Sequence, residues 1–254
     1  MKNVHLFFVL FLIFCSCDTV IVKAQAQKKN KPTVKITFIN MLNNQPVVLE
    51  STPYTNCWKE NFTVNKLKYY ISNISLQTTD KKINTEQNSY HLINEEDTGS
   101  KSFELFMAPD KYETISFLIG VDSLKNVSGA QTDALDPLHG MFWTWNSGYI
   151  MFKMEGTSPQ STIINNKIEY HIGGFSGANN TLRTINLNFK ESPIILTKQT
   201  ITEIIIQVDI DKIWNATHKL TIAQTPVCTI PGVLAASIAD NYATAFKISK
   251  VINR

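Results

Sequence analysis

Residues 136–149 concentrate the side chains best suited to bind a metal or to be oxidised. The stretch contains a histidine, a methionine and two of the four tryptophans of the chain, namely His139, Met141, Trp143 and Trp145. Imidazole and thioether groups suit copper, and thioether suits Cu(I) in particular. Residues 142–145 favour a strand, on which side chains two apart face the same way. Met141, Trp143 and Trp145 are therefore predicted to share one face; the simpler interpretation is an aromatic cluster in or beside the core.

His171 is the second candidate ligand. It lies in Glu169-Tyr170-His171-Ile172-Gly173-Gly174, at the end of a predicted strand and before a glycine turn. A lone histidine at a strand end is more often a surface or hydrogen-bonded residue than a ligand. His91 and His218 have no motif around them, and we interpret them as structural or exposed.

Several chemistries find no support in the sequence. It contains no glycine-rich phosphate loop, no His-Glu-x-x-His zinc pair and no Gly-x-Ser-x-Gly elbow. The adjacent carboxylates Glu95, Glu96 and Asp97 lie between predicted strands and are interpreted as a solvated acidic turn. The net charge of +3 is scattered without a basic stripe, so nucleic acid is not an expected partner. We expect a protein that is not an enzyme.

The elements that must position these residues are mostly short strands. Alternating or apolar runs occur at hairpin spacing from residue 33 to residue 210, and helical periodicity is weak except in residues 210–216 and 235–246. This pattern predicts an all-β fold, an antiparallel β-sandwich with long loops and at most one or two short helices. No shift in composition marks a second domain, so we predict one domain over residues 33–254.

The N-terminus is typical of an export signal. Lys2 precedes an apolar run, residues 4–15, that is too short to span a membrane. Cleavage after Ala24 would leave residues 25–32 as a linker; a lipoprotein signal ending before Cys17, with Cys17 acylated, is the alternative. Cys57 and Cys228 would then form either one disulfide or two free thiols, and their spacing does not decide between these.

A family resemblance covers nearly the whole exported chain. The run Gly140-Met141-Phe142-Trp143-Thr144-Trp145-Asn146-Ser147-Gly148-Tyr149, followed by Glu155-Gly156, resembles the hallmark of the MbnP-like copper-binding domain. Weaker matches follow in order in residues 67–74, 119–123, 170–174 and 238–243. Members of this family are exported proteins associated with methanobactin and copper handling.

The resemblance implies a β-sandwich with a single-copper site. In family members the ligands are histidines and a tryptophan oxidised to kynurenine, and a di-haem cytochrome c peroxidase-like partner performs the oxidation. His171 matches a family element, and Trp143 and Trp145 are the candidates for modification. His139, which the motif does not require, and Met141, through its sulfur, are further candidate metal ligands. Such a protein would acquire, store or transfer copper in the periplasm or at the outer membrane of a Gram-negative bacterium.

One departure concerns the metal. Copper-binding members tend to carry an Asn-His pair shortly after the Gly-Val strand end, whereas residues 123–129 here contain no histidine. The competing hypothesis is an envelope binding or scaffold module that binds no metal and docks a partner through the Trp143 and Trp145 face. A carbohydrate-active enzyme is the weakest alternative, because no convincing carboxylate pair accompanies the tryptophans.

Overall fold

The computed structural model describes residues 33–129, 131–144, 147–189, 193–199 and 201–253. The predicted signal segment 1–24, the linker, Cys17 and Trp145 lie outside these ranges. The strands of the described residues are β1 (Thr33–Leu42), β2 (Gln45–Pro46), β3 (Tyr54–Thr55), β4 (Asn61–Thr78), β5 (Ile83–Thr85), β6 (Tyr90–Asn94), β7 (Ser102–Phe106), β8 (Lys111–Ile119), β9 (Phe142–Thr144), β10 (Gly148–Thr157), β11 (Lys167–Gly173), β12 (Arg183–Asn188), β13 (Ile194–Ile195), β14 (Ile201–Asp209), β15 (Val227–Cys228) and β16 (Phe246–Asn253).

Helices contribute little to the described chain. The α-helices are α1 (Ser123–Asn126) and α2 (Val233–Tyr242). Single 3-10 turns cover Thr98–Lys101, Asp133–Leu135, Pro137–His139, Ile164–Asn166 and Ile210–Ile213. In the described residues no helix is both long enough and apolar enough to cross a membrane.

Two sheets form the sandwich. The first has the order β16-β14-β1-β2, with β7 also paired to β1, and the second has the order β12-β8-β4-β10-β11-β15, with the remaining strands added to β4, β8 and β10. The all-β prediction is confirmed. The sandwich is not wholly antiparallel, however, because β1 runs parallel to β14 and β11 runs parallel to β15. Both pairs join strands that are far apart in sequence, which leaves room for the crossover that parallel pairing requires.

The inner faces of the two sheets meet in an aromatic core. Phe38 of β1 packs edge-on against Tyr69 of β4 and Phe117 of β8, with ring centroids 6.3 and 6.0 Å apart. Alternation along β1 buries Val34, Ile36 and Phe38, as the sequence pattern predicts. A second, smaller buried cluster surrounds Tyr70, Met141 and Tyr149. Trp143 of β9 packs against this second cluster.

The acidic turn at residues 95–97 differs from its sequence-based interpretation. The interpretation of residues 95–97 as a solvated turn is wrong for Glu95, whose side chain is 7% exposed and accepts a 2.7 Å hydrogen bond from Asn40 Nδ2. Lys101 pairs with the same carboxylate, so the Glu95 side chain is mostly enclosed and has a cationic partner.

Cys57 is exposed and Cys228 is buried, and both are free thiols. Burial raises the pKa of Cys228 to about 11.

A half-exposed ion cluster attaches α2 to the second sheet. Asp240 of α2 lies 2.7 Å from an Arg183 guanidinium nitrogen and 2.9 Å from His218 Nε2. Burial alone would raise the pKa of Asp240, but the hydrogen bonds from His218 and Arg183 outweigh it, and the pKa is lowered. A lowered carboxyl pKa stabilises the fold above the unfolded pKa, and this contribution is lost as the pH falls through the folded pKa.

Asp240→Asn is therefore expected to flatten the acid limb of the stability curve. The wild-type protein should lose more unfolding free energy than the variant between about pH 5 and pH 3. The difference should stay under about 1 kcal/mol, because half-exposed ion pairs are screened by solvent and salt. Urea unfolding at several pH values measures it. Asp110→Asn on the β7–β8 connection is the control, and an equal flattening there would contradict the assignment.

Candidate metal centre

The outward face of β10 and β11 carries a cluster of charged side chains. Along β11, Ile168, Tyr170 and Ile172 are buried in the core, so residues 169, 171 and 173 face the opposite way. The antiparallel register places Lys153 opposite His171 and Glu155 opposite Glu169. Two ordinary strands with alternating side chains thus bring a histidine and two carboxylates together.

The geometry of the cluster is close. His171 Nε2 lies 2.8 Å from Glu155 Oε1 and 3.6 Å from Glu169 Oε1. One ligand atom from each of these three residues fits within 4.8 Å of the others. All three side chains are 13–21% exposed, so a small ion could reach them from solvent. An imidazole with two carboxylates is a donor set that borderline divalent ions accept.

Lysines neutralise the carboxylates. Lys66 Nζ lies 3.1 Å from Glu155 Oε2, and Lys167 Nζ lies 2.7 Å from Glu169 Oε2. Burial raises the pKa of Glu155, but the hydrogen bonds from His171 and Lys66 outweigh it and lower the pKa overall. Burial lowers the pKa of His171, although the hydrogen bond to Glu155 opposes this. The cluster is therefore a balanced set of charges and not an acidic patch.

Trp143 lies at the far end of the same strand face. A Cβ built on Gly173 would fall 2.6 Å from Trp143 Cζ3, so the indole occupies the space that a side chain at Gly173 would need. Because Gly173 and His171 are two residues apart on β11, the indole and the imidazole lie over the same face. Lys153 donates a hydrogen bond to the carbonyl of Gly140 and so joins this face to the loop before the hairpin.

The other two predicted ligands, Met141 and His139, lie in different surroundings. Met141 is fully buried in the second core, and its backbone carbonyl accepts a hydrogen bond from Ile150. His139 is exposed, and its Nε2 lies 2.9 Å from the carbonyl oxygen of Asp133. It lines a shallow cleft of about 290 Å³ that also includes His91 and Phe103. His139 does not belong to the cluster formed by Glu155, Glu169 and His171, whereas Met141 lies in the second core, against which Trp143 also packs.

Sequence reasoning missed the charged neighbours of His171. Glu169 and His171 are two residues apart in one predicted strand, and Lys153 and Glu155 are two residues apart at the end of another, with Glu155 just beyond the predicted end. A hairpin pairing of these two strands would have brought the four side chains to one face. The alternation indicates which residues of each strand share a face. Which residues lie opposite each other depends on the register between the strands, and the sequence pattern does not specify that register.

Comparison with known proteins assigns the family. The family model for MbnP matches residues 31–230. The chain belongs to the MbnP family. Among solved structures, MbnP from Methylosinus trichosporium is similar in fold, with a TM-score of 0.53 and 14% sequence identity over 78% of this chain and 82% of that chain. The chain matches no curated protein sequence.

Membership of the MbnP family associates the chain with methanobactin and gives it a copper context. At the position of the expected Asn-His pair, Asn126 is buried and accepts a 2.8 Å hydrogen bond from the Tyr149 backbone N–H. Val127 follows it and is 66% exposed. The asparagine thus connects α1 to the hairpin, while the next position offers no ligand atom.

Proposed function

We propose that this protein is an exported copper-binding member of the MbnP family that acquires, stores or transfers copper. One observation carries the proposal: Trp143 packs on Gly173, over the face of β11 that also presents His171. The arrangement unites the two residue types from which a family-type site is built. The same proposal places the protein in the periplasm or at the outer membrane, without an enzymatic activity of its own.

The chemistry of the donors fits copper. His171 would supply an imidazole nitrogen, and an oxidised Trp143 would supply an aryl amine beside it. Bound copper would be cargo for storage or transfer. The described chain holds the imidazole in place through Glu155.

The proposed modification of Trp143 requires an oxidant. Two hydrogen peroxide molecules, acting through a di-haem cytochrome c peroxidase-like partner, would each break at the O–O bond, deliver one oxygen atom and leave as water. The two oxygen atoms would add across the indole C2–C3 bond and cleave it to N-formylkynurenine. Water would then release formate and leave kynurenine with a free aryl amine. The indole of Trp143 is half-buried, so the partner would need access to only one edge of it. Trp145 is the alternative target.

Protein purified from the organism that makes it provides the test. Peptide mass spectra across residues 140–153 should show a gain of about 4 Da on Trp143, as the formula of kynurenine requires. Elemental analysis should show close to one copper per chain. Protein made in a host without the partner is the matched control and should carry unmodified tryptophans. Native protein with neither copper nor the mass gain would refute the proposal.

A second function is favoured by exposed apolar side chains before the hairpin. Leu124 and Val127 are 81% and 66% exposed, and Leu138 is 92% exposed. Apolar side chains left in solvent near an aromatic hairpin are a feature of docking surfaces. A scaffold module that docks a partner through this segment would bind no metal and keep its tryptophans intact, so the same spectra separate the two functions.

A further inference from the structure

His171 could bind a metal ion in two mutually exclusive ways. In the first, His171 Nε2 and the oxygens of Glu155 and Glu169 are all ligands, because one atom of each lies within 4.8 Å of the others. In the second, Glu155 accepts a hydrogen bond from Nε2–H, and the metal binds the other ring nitrogen, Nδ1. The charges and hydrogen bonds on this face distinguish between them.

The carboxylate oxygens are already paired with ammonium groups. Lys66 Nζ lies 3.1 Å from Glu155 Oε2, and Lys153 Nζ lies 3.8 Å from Glu155 Oε1. Lys167 Nζ lies 2.7 Å from Glu169 Oε2. A cation placed between the two carboxylates would therefore face three ammonium groups at short range, and this repulsion opposes the first arrangement.

The hydrogen bond of His171 favours the second arrangement. An ionised carboxylate can only accept hydrogen bonds, so the nitrogen 2.8 Å from Glu155 Oε1 carries the proton. In the neutral ring the lone pair then belongs to Nδ1. Within the described chain no hydrogen bond involves this atom, so it remains available. Histidines that ligate metals commonly donate their other N–H to a carboxylate in this way.

We propose that Glu155 is a positioning residue that holds His171 in the Nε2–H tautomer and so presents Nδ1 as the metal donor. Lys66 fixes the Glu155 carboxylate from its other side, which limits the orientations of the imidazole. The identity of the metal rests on the proposed function. The tautomer does not, because it is a property of the metal-free protein.

Long-range 1H–15N correlation spectra of the metal-free protein test the proposal directly. Wild-type His171, assigned by its loss in His171→Gln, should show the Nε2–H tautomer. Glu155→Leu removes the acceptor and should give a mixture of tautomers. Glu169→Leu is the matched control, because that carboxylate lies 3.6 Å away, and it should keep the wild-type spectrum. A wild-type Nδ1–H tautomer would overturn the proposal, and this spectrum decides it even if Glu155→Leu fails to fold.

Copper titration of the same variants supplies a second readout. Loss of a residue that orients a ligand typically costs 10–100-fold in metal affinity, which we expect for Glu155→Leu and not for Glu169→Leu. Equal large losses in both variants would show that the carboxylates are ligands and would overturn the proposal. If wild-type protein shows the Nε2–H tautomer but takes up no copper, the proposed function fails while the role of Glu155 stands.

Discussion

His171→Ala is expected to remove copper from a protein that still folds. His171 supplies the only imidazole of the cluster with Glu155 and Glu169, and the remaining groups are carboxylates paired with lysines. Removing it costs one charge-assisted hydrogen bond, about 1–3 kcal/mol. Glu155 keeps Lys66 as a partner, so the carboxylate is not left alone. The copper content of the native protein, measured by elemental analysis, should fall from near stoichiometric to background. Thermal unfolding of the same sample should show that the variant is still folded.

His139→Ala is the matched control for this prediction. The side chain is exposed and lies outside the cluster, with Nε2 near the carbonyl of Asp133. We expect its copper content to match the wild type. Loss of copper in His139→Ala, with retention in His171→Ala, would move the site from β11 to the loop before the hairpin.

Gly173→Ala is expected to displace Trp143 and to destabilise the fold. The new methyl group would lie 2.6 Å from Trp143 Cζ3 and 2.8 Å from the carbonyl oxygen of Tyr149. The indole can move away, but the Tyr149 carbonyl belongs to the neighbouring strand and cannot move easily. Overpacking of this kind costs about 1–3 kcal/mol, which lowers Tm by roughly 2–4 °C for each kcal/mol in a domain of this size.

Tryptophan fluorescence and thermal unfolding measure both effects of Gly173→Ala. A displaced indole should emit at longer wavelength, and native protein carrying the substitution should show less modified Trp143. Gly232→Ala is the control, because a methyl group there meets no atom within 4 Å. An unchanged spectrum and an unchanged Tm in Gly173→Ala would contradict the packing of Trp143 on β11.

The positions of the strands were largely predictable from the sequence, whereas their partners were not. Alternating or apolar runs predicted a series of short strands between residues 33 and 210, and strands β1 to β14 lie in that range. The same patterns contain no information on which strands pair. The parallel pairing of β1 with β14 was missed for this reason, and the antiparallel prediction was too simple.

The candidate site was predictable only in part. His171 and Trp143 were chosen first from their side-chain chemistry and then matched a family motif, and the structure brings them to one face. Met141 has a suitable donor atom, but residue type does not reveal that its side chain is fully buried in the second core. Glu155 and Glu169 join the site through the β10–β11 register, which tertiary packing sets and local sequence does not.

The central place of β1 in its sheet has a consequence for the order of folding. Thr33 pairs with Ile201, and β1 has its longest pairing with β14. Pairings between segments so distant in sequence are slow to form, because the entropy of closing a long loop is lost before the stabilising contacts are made. During synthesis, β1 cannot complete its pairing until β14, in the last quarter of the chain, has been made. A chain that ends before β14 would leave the backbone groups on one side of β1 unpaired, and we expect such a fragment to aggregate.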